Sequence, residues 1–348
     1  MPYRRPTRLS RPRPSRAVAV LAVGLLALPL AACGSEDDDS SDRPDPGGSF
    51  ESVTIEHAFG ETEIDARPER VVTWGWGSAD AALALGVTPV AMEALTYGAS
   101  DDGFMPWQEE AFEASGAEKP TALTPGEAPP FQEIAAAAPD LILANYSGIT
   151  EADYEKLSKI ADTVAYPEVP WSTPWRDVVS TVGQALGQAD EAATLLEEID
   201  GRVAEAAAAH PEFEGKTIAA VAIDPSAFYV YRGADPRVQF LEDLGFTLAP
   251  SVDELDTEEA SFYYTLSTEE VDKLTSDVLL SYVPTEERVT EIAEDPAMQA
   301  MSQFQEDRVA TVVGEAVVSS VSPPTALSLT WGLDAFVEAL VPAVAAAG

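Results

Sequence analysis

From residue 53 onward, short wholly apolar runs alternate with stretches in which apolar positions recur every three or four residues, the pattern of strands alternating with helices. The segment "RVVTWGWGSADAALALGVTPVAM" predicts a buried strand over 71–74, a glycine-rich turn, a helix over 78–85 stopped by Gly86, and a second strand. In "FQEIAAAAPDLILANYSG" a helix must end before Pro139 and gives way to a strand over 141–144; "EADYEKLSKIADTVAYP" repeats the order. Strands separated by helices call for a parallel sheet covered on both faces.

Two helical patterns follow with no strand between them. The first covers 174–186 behind Thr173, a candidate N-cap. The second, over 190–209, is rich in Ala and Glu and would extend about 30 Å at 1.5 Å per residue. His210-Pro211 ends it, and strand–helix alternation restarts at Lys216 with "KTIAAVAID". Echoes link the halves: "ALGVTPVA" is answered by "DLGFTLAP", and "EIAAAAPDLILANY" by "EVDKLTSDVLLSY". The expected architecture is therefore α/β, with one lobe over 53–170, a helical connection over 171–212 that includes one long helix, and a second lobe over 213–348.

Ahead of these lobes the composition changes sharply. Residues 1–32 hold six arginines, no acid, and an apolar run over 17–30 that is too short for a permanent membrane span, which together read as a secretory signal peptide. The closing "LAAC" places small residues before Cys33 and resembles the bacterial lipobox, implying lipidation and cleavage at that cysteine. Arg4-Arg5 leaves both the general secretory and the twin-arginine routes open. Residues 33–52 are acidic and rich in Ser, Pro and Gly, with a single large apolar residue, and read as a disordered tether. The expected location is thus outside the cytoplasmic membrane, on a lipid anchor, and no later segment reads as a span.

Charge narrows the partners. The chain carries 20 basic and 60 acidic residues; without the signal, 14 basic against 60 acidic residues give a formal charge of −46. Such a surface excludes nucleic acid as an expected partner. Cys33 is the sole cysteine, so no disulfide supports the fold.

Ligands of open parallel sheets sit beyond the carboxyl ends of the strands. Reading off those positions gives Trp74, Trp76, Tyr146, Tyr229, Tyr231 and Tyr282, with Trp171, Phe262, Tyr263 and Tyr264 in loops nearby. Arg232 and Arg237 add guanidinium groups for an anionic moiety. Material for catalysis is scarce. His57 and His210 are the only histidines, too few for a three-histidine zinc site and poorly suited to a Ser-His-Asp triad. Gly75 and Gly77 lack the rest of a phosphate-loop motif. A binding protein that is not an enzyme and carries no resident cofactor is the expectation.

Several of these stretches together, "VTIEHAFGETEIDARPERVVTWGWGSADAALALGVTPVAM", "IAAAAPDLILANYSGITEADYEKLSKIADTVAY", "GQALGQADEAATLLEEI" and "PRVQFLEDLGF", resemble the iron-siderophore substrate-binding lipoproteins of ABC importers. The resemblance implies two Rossmann-like lobes joined by a rigid helix, the class III periplasmic-binding-protein arrangement, in a monomer. It also implies a ferric chelate in a shallow aromatic cleft, and delivery to importer permease subunits through one acid on each lobe. Glu269 matches the second docking position; at the first stands Gln132, with Glu133 beside it. The loop "LTPGEAPP" has no arginine where some hydroxamate-binding relatives place one, leaving first-lobe recognition to Trp74, Trp76 and Tyr146. An acidic protein with few cleft cations suits a neutral or cationic ferric hydroxamate better than a trianionic catecholate. Haem, a corrinoid and directly coordinated ferric iron stay open as alternatives.

Overall fold

The computed structural model describes residues 50–257 and 262–348. The signal segment, Cys33 and the tether up to residue 49 lie outside the described residues, as do residues 258–261.

A short antiparallel ribbon, β1 (Val53–His57) with β2 (Gly60–Ile64), precedes two larger sheets. The first contains β3 (Val71–Thr73), β4 (Ala91–Glu93), β5 (Thr121–Leu123), β6 (Leu141–Ala144) and β7 (Asp162–Ala165) in the order β5-β4-β3-β6-β7, all parallel. Every residue of β3 and β6 is buried, as strands covered on both faces require. Chain order reverses between β3 and β6, so the crevice beyond their carboxyl ends is the place where such a sheet receives a ligand.

The second sheet contains β8 (Thr217–Asp224), β9 (Ala227–Tyr231), β10 (Thr247–Leu248), β11 (Tyr263–Leu266), β12 (Val278–Val283) and β13 (Val309–Val313). Its order is β11-β9-β8-β12-β13, with β10 pairing the first residues of β8. The sheet departs from the expected parallel pattern. β9 runs antiparallel to both β8 and β11, because Pro225-Ser226 forms a tight turn in which Asp224 Oδ1 accepts from Ser226 N (2.9 Å) and Oγ (2.6 Å).

Two helices, Trp175–Ala185 and Ala189–Ala209, lie between the sheets in sequence. Thr173 does not cap the first: Pro174 takes that position, and Thr173 Oγ1 instead donates to Asn145 O (2.8 Å). The two helices touch at Gly183, where a Cβ would lie 2.3 Å from that of Ala192. One apolar core runs from Val71 and Leu143 of the first sheet, through Val178, Val182, Ile199 and Val203 of this helix pair, to Ile218 and Leu280 of the second. This is the class III arrangement: two α/β lobes on one connecting helix pair.

The last helix, Ser328–Ala346, corrects one expectation, since by length and composition it could cross a membrane. It is a core helix here, burying Leu329, Leu333, Phe336, Leu340 and Val344 in that same cluster.

Candidate functional site: an aromatic cleft between the lobes

The β-alternation of the second sheet sorts its tyrosines. Along β9, Phe228 and Val230 face an apolar core while Tyr229 and Tyr231 face the other way. Across the pairing, Tyr231 lies opposite Tyr263, and Tyr229 opposite both Thr265 and Ala222. Ala222 in turn adjoins Tyr282 on β12, so small side chains on β8 leave room for rings on the strands to either side. The rings touch in sequence: Tyr229 with Tyr263 at 5.4 Å, Tyr263 with Phe262 at 4.9 Å, and Tyr231 with Tyr282 at 6.0 Å.

Arg237 sits over this layer. Its guanidinium carbon is 4.1 Å from the Tyr231 ring centre and 5.7 Å from that of Phe262, a stacked cation geometry. It is 8% exposed and ion-paired with the fully buried Asp235, Nε to Oδ1 at 3.5 Å. Asp235 also caps the helix Pro236–Asp243 by accepting from Arg237 N (2.8 Å). Burial pushes the Asp235 carboxyl up, with Arg237 opposing that rise, and pushes the Tyr231 and Tyr282 hydroxyls up as well.

The first lobe supplies the facing wall. Gly75 (φ +89°) turns the chain after β3, and a Cβ there would lie 2.4 Å from the Tyr146 carbonyl, which explains the glycine between the two tryptophans. Trp76 N donates to that same carbonyl (2.9 Å), and Trp76 Nε1 donates to Pro323 O (3.0 Å) in the segment before the last helix. Burial raises the Tyr146 hydroxyl's pKa, and Arg237 and Asp235 of the other lobe are near enough to act on it. Trp171 holds a left-handed backbone (φ +58°), is 40% exposed and sets its ring edge-on to Tyr146 at 5.8 Å. Trp76, Tyr146, Pro236 and Pro323 line a narrow crevice where the lobes meet.

Ten of the twelve ligand positions expected from the sequence can thus be placed in or beside one region, and two cannot. Trp74 is 3% exposed and packs with Val72, Ile142 and Ile134 beneath the first sheet. Tyr264 is fully buried and donates its hydroxyl to Val252 O (2.8 Å). In both cases alternation turns the ring to the opposite face from its neighbour. Tyr229, Tyr231, Tyr263 and Tyr282 also lie within strands rather than past their ends or in loops. Arg232 adjoins the ring layer through its amide, which donates to Phe262 O (3.0 Å), while its Nε–H donates to Asp256 Oδ2 (2.7 Å). Tyr97 lies near this region but is not among the expected positions: it is 44% exposed, and burial raises its pKa, with the charges of Glu315 and Tyr231 adding to the rise. It lies in a loop without periodicity, so no pattern singled it out.

Residues 71–315 match the family model described as Periplasmic binding protein. The chain belongs to the periplasmic binding protein family. A curated relative, the probable siderophore-binding lipoprotein YfiY of Bacillus subtilis, is 27% identical over 271 residues, covering 76% of this chain and 78% of the relative. Among solved structures, PiaA of Streptococcus pneumoniae in complex with ferrichrome is 34% identical with a TM-score of 0.78, covering 85% of this chain and all of that one. A periplasmic solute binding protein of Mycobacterium smegmatis is 27% identical with a TM-score of 0.73, covering 84% and 99%.

In this periplasmic binding protein the positions considered for docking lie on the surface. Gln132 and Glu133 are exposed at the start of the helix Phe131–Ala136. Both carboxylate oxygens of Glu133 are occupied, accepting from Thr124 N and Oγ1 at 2.9 Å each, which holds its pKa below the usual range. Glu269 is exposed in the turn after β11, and among the described residues no cation forms an ion pair with it. His57 is a structural residue: its Nε2 is 2.9 Å from Thr62 Oγ1, and burial lowers its pKa.

Proposed function

We propose that this periplasmic binding protein captures a ferric siderophore, with the hydroxamate type favoured, and delivers it to the permease subunits of an ABC importer. The carrying observation is the ring layer of Tyr229, Tyr231, Phe262, Tyr263 and Tyr282 around buried Arg237, faced by Trp76, Tyr146 and Trp171. A ferric chelate is bulky and polar at its rim; flat amphipathic rings and one guanidinium offer it wide contact without requiring enclosure. The 34% identity to a protein solved with ferrichrome supports the same reading. In this reading residues 1–32 direct export, a lipid on Cys33 holds the protein at the outer face of the cytoplasmic membrane, and residues 53–170 and 213–348 act as the two lobes of a monomer. Glu269 and the 132–133 position meet the permease.

The test is tryptophan-fluorescence quenching of the domain from Ser52 onward, titrated with ferric hydroxamates, ferric catecholates, ferric citrate, haem, cobalamin and free ferric iron. Saturable submicromolar quenching by a ferric hydroxamate is the expected result. Tight binding of haem or a corrinoid alone, or a tyrosinate charge-transfer band on adding iron without chelator, would replace this reading with one of those ligands.

A further inference from the structure

The charges at the floor of the cleft are arranged in an unusual way. Arg237, the cation stacked on the ring layer, carries its counter-ion two residues back in the chain, so the pair is built into the start of one helix. Asp235 is fully buried and its Oδ1 is fixed by the Arg237 amide. Among the described residues its other oxygen, Oδ2, has no hydrogen-bond partner; nor have Arg237 Nε and the Tyr282 hydroxyl, both also buried. Buried polar atoms without partners are costly and mark places completed by something else. On the facing lobe the crevice under Trp76 is lined by Glu93 and Asp80 and by no cation, Glu93 Oε2 accepting from Gly75 N (2.9 Å).

We infer that Asp235 sets the charge class of the ligand. By cancelling Arg237 within the buried pair, it leaves a floor with donors and an acceptor but no net positive charge. The cleft therefore takes ferric chelates that are neutral or cationic, and it disfavours anionic ones. Without Asp235, the same guanidinium would act on an anion through a low-dielectric floor, where charges separated by several ångströms interact strongly. The inference rests on the ferric-siderophore reading and adds to it a buried counter-ion that filters ligands by charge through its effect on Arg237.

The experiment uses three probes sharing one iron centre: a linear ferric trihydroxamate with a pendant ammonium, its N-acetylated neutral form and its N-succinylated anionic form. Each is titrated against the wild type and against Asp235→Asn, which keeps the volume and the capping oxygen but removes the charge. The wild type is expected to bind the ammonium and neutral forms at least about tenfold more tightly than the anionic one. In Asp235→Asn that ratio is expected to fall by about tenfold or more. Equal wild-type affinities for all three, or an unchanged ratio in a folded Asp235→Asn protein, would overturn the inference while leaving the receptor reading in place. Binding of none of the three by folded wild type would overturn both. Should the variant not fold, the wild-type order across the three probes decides alone.

Discussion

Asp80, in the first helix of the first lobe, accepts a hydrogen bond from Thr325, which lies 245 residues further along the chain and just before the last helix. The carboxylate is fully buried and also accepts from Trp107 Nε1 (2.7 Å) and Gln108 Nε2 (2.6 Å). Thr325 is itself fixed by Ser328, each side-chain oxygen accepting from the other's amide. This latch holds the 323–326 segment against the first lobe, and that segment carries the carbonyl that orients Trp76. Asp80→Ala, which strands three buried donors, is expected to cost at least about 3 kcal/mol in urea unfolding. Thr325→Val is expected to cost about 1–3 kcal/mol and to weaken chelate binding by loosening Trp76. An unchanged unfolding midpoint in both variants would show that the latch does not hold the lobes.

Tyr231 and Tyr264 look alike in sequence but occupy opposite faces of the second sheet. Tyr231→Ala removes a ring from under Arg237 and is expected to weaken binding of a ferric trihydroxamate by tenfold or more, on the order of 1.4 kcal/mol. Tyr264→Phe is expected to lose about 1 kcal/mol of stability with its bond to Val252 and to leave affinity within about twofold. Isothermal titration together with thermal unfolding separates the two; a binding defect in Tyr264→Phe would return that residue to the site.

Much of this arrangement was legible in the chain, for identifiable reasons. Wholly apolar runs such as Leu141–Ala144 have one stable home, the interior of a covered parallel sheet. The Ala189–Ala209 helix announces itself by composition and length. What the pattern did not give was the face of each ring. Tyr263 and Tyr264 are adjacent, and only the pairing with Tyr231 and Val230 decides which one reaches the cleft. Periodicity is equally silent about contacts between distant segments, so neither the latch nor the placement of Tyr97 beside Tyr231 could be read from local sequence.

Glu269 and Glu133 differ in their freedom to meet a partner. Glu133 is held by two bonds to Thr124, and an incoming arginine would have to share that carboxylate. Glu269→Lys is therefore expected to reduce uptake of the ferric chelate into cells strongly while leaving ligand affinity in solution unchanged. Glu133→Lys is expected to have the smaller effect on uptake. Undiminished transport by Glu269→Lys would remove that residue from the docking surface.

Asp277 ties the start of β12 to the start of β8: its Oδ2 accepts from both the amide and the hydroxyl of Thr217, at 2.8 Å each. The Thr217 amide bond is the largest cause holding its pKa below the usual value, with Lys216 and Arg308 adding to the effect. A folded-state pKa below the unfolded one means that the stabilisation is complete above the ordinary aspartate value, about 4, and is lost as pH falls through the folded value. Protonating the other carboxylates of so acidic a chain has the opposite sign, because it relieves self-repulsion. The two are separated by comparing the wild type with Asp277→Asn. Asn lacks the titration, so its unfolding temperature is expected to lie below that of the wild type near neutral pH. The two are expected to converge as pH falls below about 4, the ordinary aspartate value. A gap that stays constant with pH would mean that Asp277 acts through packing and hydrogen-bond geometry rather than through its charge.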